Sequence, residues 1–176
     1  MKQIIAFAGS NSSTSINKQL ATYAASLVDG VEVKVLDLND FELPLYGTDY
    51  ELAHGIPDNA TQFLDLIKST DGIVLSLAEH NGAYATVFKN LFDWMSRIDG
   101  KLWSDKPMLL MATSPGARGG ATALEIAQGR FLYMGGNIVG SFSLPSFNAN
   151  FSDGKITNLE LKRQLLEEVE QFAESL

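Results

Sequence analysis

Three polar, glycine-bearing segments, each following an apolar run, hold most of the residues here that could do chemistry. The first is Gly9-Ser10-Asn11-Ser12-Ser13-Thr14-Ser15-Ile16-Asn17, with four serines, a threonine and two asparagines ahead of a helical pattern. Backbone N–H groups left open at a helix start suit an anion, and hydroxyls add neutral donors. The segment lacks the Gly-Lys-Ser/Thr of a triphosphate loop, and one glycine stands where a dinucleotide fingerprint has three. It reads either as another kind of anion cradle or as a polar turn in which Ser15 caps the helix.

The second segment, Ala78-Glu79-His80-Asn81-Gly82-Ala83-Tyr84, puts a carboxylate, an imidazole and an amide after a buried run. His80 invites a serine-hydrolase reading, but no Gly-x-Ser-x-Gly elbow exists and His54 is the only other histidine. With no cysteine in the chain, a zinc site is weaker still, and disulfides and thiol chemistry are excluded. The third segment, Thr113-Ser114-Pro115-Gly116-Ala117-Arg118-Gly119-Gly120, has three glycines after an apolar strand. That excess over a plain turn suggests backbone in close approach to a flat or bulky ligand.

The elements that must carry these segments alternate in type. Lys2–Ala8, Glu32–Leu38, Gly72–Leu77, Pro107–Ala112 and Ile138–Phe142 read as strands, and Glu32–Leu38 alternates as an edge strand does. Ile16–Leu27, Pro57–Ser69, Tyr84–Ile98, Ala121–Met134 and Leu159–Phe172 read as helices. Such alternation specifies an α/β domain around a mainly parallel sheet, with ligands outside the carboxyl ends of its strands. Asn39–Ile56 shows no period and is long for a connection, so it reads either as part of a pocket wall, through Phe41, Leu45, Tyr46 and Tyr50, or as an ordered surface loop. Phe88, Phe92, Trp94 and Met95 fall on more than one face of Tyr84–Ile98, which predicts a second, intermolecular face. With no repeat or linker, the reading is one domain over residues 1–176.

Composition bounds the function. A net charge of −8 argues against a nucleic-acid or anionic-membrane surface. No run approaches the roughly 18–20 apolar residues of a membrane span. The apolar start ends at Ala8, too short for a secretory signal, so a cytoplasmic location is expected and the Asn11, Asn59 and Asn150 sequons read as chance.

Taken in order, Gly9-Ser10…Ser15-x-Asn17, Glu79-His80-Asn81-Gly82…Lys89-Asn90-x-x-Asp93-Trp94 and Ser114-Pro115-Gly116…Gly119-Gly120 resemble the NAD(P)H-dependent FMN reductases. That family includes quinone, chromate and azo-dye reductases. The resemblance spans Met1 to about Phe142. It implies a three-layer, flavodoxin-like, doubly wound sheet of five parallel strands in the order 2-1-3-4-5. It implies that Ser10, Ser12, Ser15, Ile16 and Asn17 hold the FMN phosphate. Glu79, His80, Asn81 and Gly82 would line the isoalloxazine and ribityl chain, and Ser114, Gly116, Gly119 and Gly120 the other edge. The Lys89–Trp94 motif would sit on the face of a homodimer or homotetramer.

Three positions depart from the pattern: Ser12 stands where many members carry arginine, Ala78 where many carry proline, and His80 where many carry tyrosine. A missing guanidinium removes a charge-assisted contact of roughly 1.5–3 kcal/mol. The implied activity is transfer of a hydride from NADPH or NADH through bound FMN to a small acceptor such as a quinone or free flavin. The cofactor carries that chemistry, so no catalytic side chain and no metal is expected. A non-enzymatic electron carrier or flavin-binding module on the same fold is the alternative.

Overall fold

Alternation along three central strands sends side chains to opposite faces of one sheet and builds a core on each. The computed structural model describes all residues, Met1–Leu176. The chain runs β1 (Lys2–Gly9), α1 (Ile16–Ser26), β2 (Val31–Val35), α2 (Thr48–His54), α3 (Asp58–Ser69) and β3 (Gly72–Leu77). A short hairpin follows, β4 (Glu79–His80) and β5 (Ala83–Tyr84), then α4 (Thr86–Ile98), β6 (Pro107–Thr113), α5 (Ala121–Phe131) and β7 (Asn137–Leu144). The end of the chain forms α6 (Phe147–Asn150), a hairpin of β8 (Phe151–Ser152) and β9 (Lys155–Ile156), and α7 (Leu159–Ser175).

The main sheet is parallel in the order β2-β1-β3-β6-β7, the expected 2-1-3-4-5 arrangement. Ile5, Phe7, Leu75, Leu77, Leu110 and Ala112 face a core shared with α3, α4 and α5. Ile4, Ala6, Val74, Leu109 and Met111 face the other core, under α1 and α7. Strand β2 is only partly buried, as its edge position requires.

Some boundaries move for identifiable reasons. β2 ends at Val35, not Leu38, because Asp37 Oδ1 accepts the Asn39 N–H at 2.9 Å and starts a 3₁₀ turn over Leu38–Asp40. The stretch from Asn39 to Ile56 is therefore not a structureless loop: it carries most of that turn and helix α2. It straps the outside of α4. Asn90 Oδ1 accepts the Tyr46 N–H at 2.8 Å, and Asn90 Nδ2 and Trp94 Nε1 donate to Pro44 C=O at 3.0 and 2.8 Å. Tyr46 packs edge-on against Trp94.

The strap removes the sequence argument for an intermolecular face on α4. Phe88, Trp94 and Met95 are fully buried and Phe92 nearly so within the single chain. The second apolar face of this helix is covered by its own polypeptide. Lys89 and Asp93 pair with each other at 2.7 Å, while Asn90 and Trp94 of the same motif fasten the strap.

Candidate functional site

Strands β1, β3 and β6 are neighbours and parallel, so the three segments that leave their carboxyl ends converge. They enclose a cavity of about 200 Å³. Ser10, Ser12, Ser15, Ile16 and Asn17 line it from the first segment, Glu79 and His80 from the second, and Ser114 from the third. Asn81, Gly82, Gly116, Gly119 and Gly120 do not line it. Thr14, another hydroxyl of the first segment, lines it too, and so do Ala78, Thr113 and Pro115, which were not expected there.

The first segment folds through its own hydroxyls. Ser10 Oγ accepts the Ser12 N–H at 3.2 Å, and Ser12 Oγ accepts the Thr14 N–H at 3.3 Å. Ser15 Oγ accepts the Lys18 N–H at 3.1 Å and caps α1. These bonds use oxygen lone pairs and leave the Ser10 and Ser15 hydroxyl protons free to be donated. The N–H groups of Ile16 and Asn17 have no acceptor within the chain, as the first turn of a helix requires.

No lysine or arginine lines the cavity. Lys18 pairs with Asp37, whose carboxyl that hydrogen bond holds below the usual range. Arg118 is exposed and donates to Thr122 Oγ1 at 3.2 Å. A phosphate at this helix start therefore meets open amides, hydroxyl donors and a helix dipole, all of them neutral groups. The residues present fit an FMN phosphate on those terms. The cavity is smaller than the roughly 300–1,000 Å³ of drug-sized ligand sites.

Asn17 departs from its expected role. Its side chain is turned inward, is 3% exposed, and bonds to Ser76 and Thr113 instead of facing the cavity. Only its backbone N–H faces the open helix end.

The second segment is a hairpin, not a loop leading straight into a helix. Asn81 (φ 52°) and Gly82 (φ 72°) both occupy the left-handed region. A two-residue hairpin turn of this hand demands that conformation at both positions. The turn pairs His80 with Ala83 and Glu79 with Tyr84. The Asn-Gly dipeptide is the sequence signal for it. His80 is exposed on the cavity wall, and none of the cavity's serines is hydrogen-bonded to it. The Glu79 carboxylate points to α5, where Oε2 accepts the Ala123 N–H at 2.9 Å.

The glycines of the third segment answer to packing. A Cβ on Gly119 would lie 2.5 Å from Ser143 Oγ and 2.8 Å from the Leu144 carbonyl. One on Gly120 would lie 2.9 Å from Ala112 Cβ, and both residues have positive φ. Close packing against β6 and β7 and positive φ are enough to require glycine at Gly119 and Gly120. Ser114 remains at the cavity, its hydroxyl donating to Gly116 C=O at 3.3 Å.

This arrangement lacks a nucleophile paired with a base. Its open amides and free hydroxyl protons can receive an anionic group. A sequence model of the NADPH-dependent FMN reductases matches residues 2–149. The chain belongs to that family. Among similar proteins, a 2-hydroxy-1,4-benzoquinone reductase of Burkholderia sp is 35% identical over 134 residues, covering 75% of this chain and 71% of its own length. The NADPH:quinone oxidoreductase of Arabidopsis thaliana is 30% identical over 130 residues, covering 72% of this chain and 65% of its own. The flavoenzyme NAD(P)H:(acceptor) oxidoreductase FerB of Paracoccus denitrificans superposes with a TM-score of 0.76 at 27% identity. That superposition covers 99% of this chain and 96% of FerB.

A second cavity, of about 470 Å³, adjoins the first segment through Asn11. Leu38, Phe41, Leu43, Val87 and Leu91 give it apolar walls, and Asn39, Glu42 and Asn90 a polar rim. Of the strap aromatics, Phe41 lines this cavity, while Tyr46 packs on Trp94.

Proposed function

We propose that this protein is a single-domain FMN-dependent oxidoreductase that passes a hydride from NADPH or NADH to a small acceptor such as a quinone or free flavin. The observation that carries the reading is the meeting of the open Ile16 and Asn17 amides, the His80 hairpin and Ser114 in one cavity of an FMN reductase fold. Bound FMN would supply the redox chemistry itself. Ser10, Ser12, Ser15 and the α1 amides would anchor its phosphate. The Glu79–Tyr84 hairpin and the Ser114–Gly116 turn would set the place of the ring.

The apolar cavity beside Asn11 is the place the fold offers to a neutral aromatic acceptor. Its volume of about 470 Å³ is ample for one or two fused rings. Apolar walls with a polar rim are the usual make-up of a small-molecule pocket. No helix is long and apolar enough to cross a membrane. The absence of cysteine and the need for a reduced nicotinamide agree with a cytoplasmic enzyme. Association as a homodimer or homotetramer belongs to the same reading and rests on the resemblance, because the α4 aromatics are used within the chain. Leu45 and Leu52 are the most exposed apolar side chains of the strap, at 74% and 87%.

The test is steady-state NADPH and NADH oxidation by FMN-loaded protein with menadione, free FMN or ferricyanide as acceptor. Turnover dependent on FMN and on acceptor is the expected result. Retention of FMN with no nicotinamide oxidation would assign the chain to the electron carriers instead.

A further inference from the structure

The side chain of Asn17 makes three hydrogen bonds, and none of them points to the cavity. Oδ1 accepts from Ser76 Oγ at 2.7 Å and from the Thr113 N–H at 3.0 Å. Nδ2 donates to the Thr113 C=O at 3.2 Å. The amide thus pairs with both backbone groups of the last residue of β6 while holding a hydroxyl of β3. Thr113 continues the chain of bonds, its Oγ1 donating to Leu144 C=O on β7 at 2.7 Å.

We propose that Asn17 is a positioning residue, locking the three ligand segments to one another through Ser76 and Thr113, while its backbone N–H alone serves the phosphate. This rests on the flavin reading above. One residue then joins the segment after β1 to the strands that launch the other two. Its amide is suited to that place: aspartate would lose the donor to Thr113 and bury a charge, and glutamine is a methylene too long. Serine and alanine leave Thr113 and Ser76 unpaired. Asn17, Ser76 and Thr113 are all buried. Each lost partner therefore leaves a buried polar group unsatisfied. The first and third segments would then no longer be held in register, and ring and phosphate contacts would loosen together.

Ser76 makes the idea testable, since it does not line the cavity and reaches the ligand only through Asn17. Fluorescence titrations with FMN and with riboflavin compare the natural protein, Ser76→Ala, Asn17→Ala and the double variant, with apo-protein melting alongside. Ser76→Ala should weaken FMN and riboflavin by the same factor, about 2–10-fold, and Asn17→Ala should weaken both further. In the Asn17→Ala background, Ser76→Ala should cost nothing more, because the coupled partner is gone.

A loss for FMN that spares riboflavin in Asn17→Ala would overturn the proposal and restore the side chain as a phosphate ligand. A lower melting temperature for Ser76→Ala with both affinities intact would overturn it too, leaving a purely structural bond. If Asn17→Ala does not fold, the single Ser76→Ala comparison decides. Failure of the natural protein to bind either flavin would remove the flavin reading and this inference with it.

Discussion

Glu79 Oε2 accepts the Ala123 N–H at 2.9 Å, so the hairpin of the second ligand segment caps the helix that follows the third. Helix α5 has no side-chain cap of its own, because its first flanking residue is Gly120. The carboxylate supplies the missing acceptor and sits where the helix dipole favours a negative charge. Glu79→Ala should lower stability by about 0.5–2 kcal/mol, and Glu79→Gln, which keeps an acceptor, by less. Thermal melts of the two variants check this, and equal stability of Glu79→Ala and the natural protein would refute the cap.

Ser15 is expected to act twice. Its oxygen accepts from Lys18 N–H, and its proton is free for a phosphate. Ser15→Ala should cost the helix about 0.5–2 kcal/mol and weaken FMN much more than riboflavin. Asn17→Ala, by contrast, is expected to weaken both flavins together. Equal losses for both flavins would place the phosphate away from Ser15.

Tyr84 carries a buried hydroxyl with no hydrogen-bond partner, and its ring packs with Phe88, Phe92 and Phe131. Burial pushes its pKa up to about 12, against an opposing effect of Arg130. The unfolded chain therefore loses this proton near pH ~10 while the folded chain keeps it. Between those values the folded state binds more protons, so stability falls as pH rises. Tyr84→Phe removes that alkaline loss and relieves the orphaned hydroxyl. It should be at least as stable at pH 7 and clearly more stable at high pH in denaturant titrations. A Tyr84→Phe variant less stable at both pH values would show that the hydroxyl has a partner after all.

The apolar cavity beside Asn11 can be filled from Val87 on α4. Val87→Phe should raise the KM for a naphthoquinone about 10-fold, with FMN affinity unchanged, by occupying space the acceptor needs. Steady-state kinetics with menadione read this directly. An unaltered KM would move the acceptor site elsewhere.

The order of elements was legible because each is a local property. Apolar runs of strand length alternate with apolar stripes of helical period, and a buried parallel sheet is the arrangement that covers both. Strand order and the convergence of three segments follow from that alternation once the family's motifs are placed on it. The Glu79–Tyr84 hairpin was legible in principle from Asn81-Gly82. A two-residue strand pair nevertheless has too little pattern to register beside a long amphipathic helix.

What a side chain does at the end of such a segment is a different matter. The residue types alone determined that hydroxyls and amides gather after β1, a carboxylate after β3 and glycines after β6. Only the tertiary structure decided that Asn17 turns inward to Thr113, 96 residues away, and that Glu79 turns to Ala123, 44 away. It likewise decided that Gly119 and Gly120 yield to β7 and β6, and that the strap, not a second chain, covers Trp94. Spacing along a chain states which groups can face the same way. Which of two faces is water, ligand or another strand depends on packing between elements far apart in sequence, and a buried polar group goes wherever its hydrogen bonds are completed.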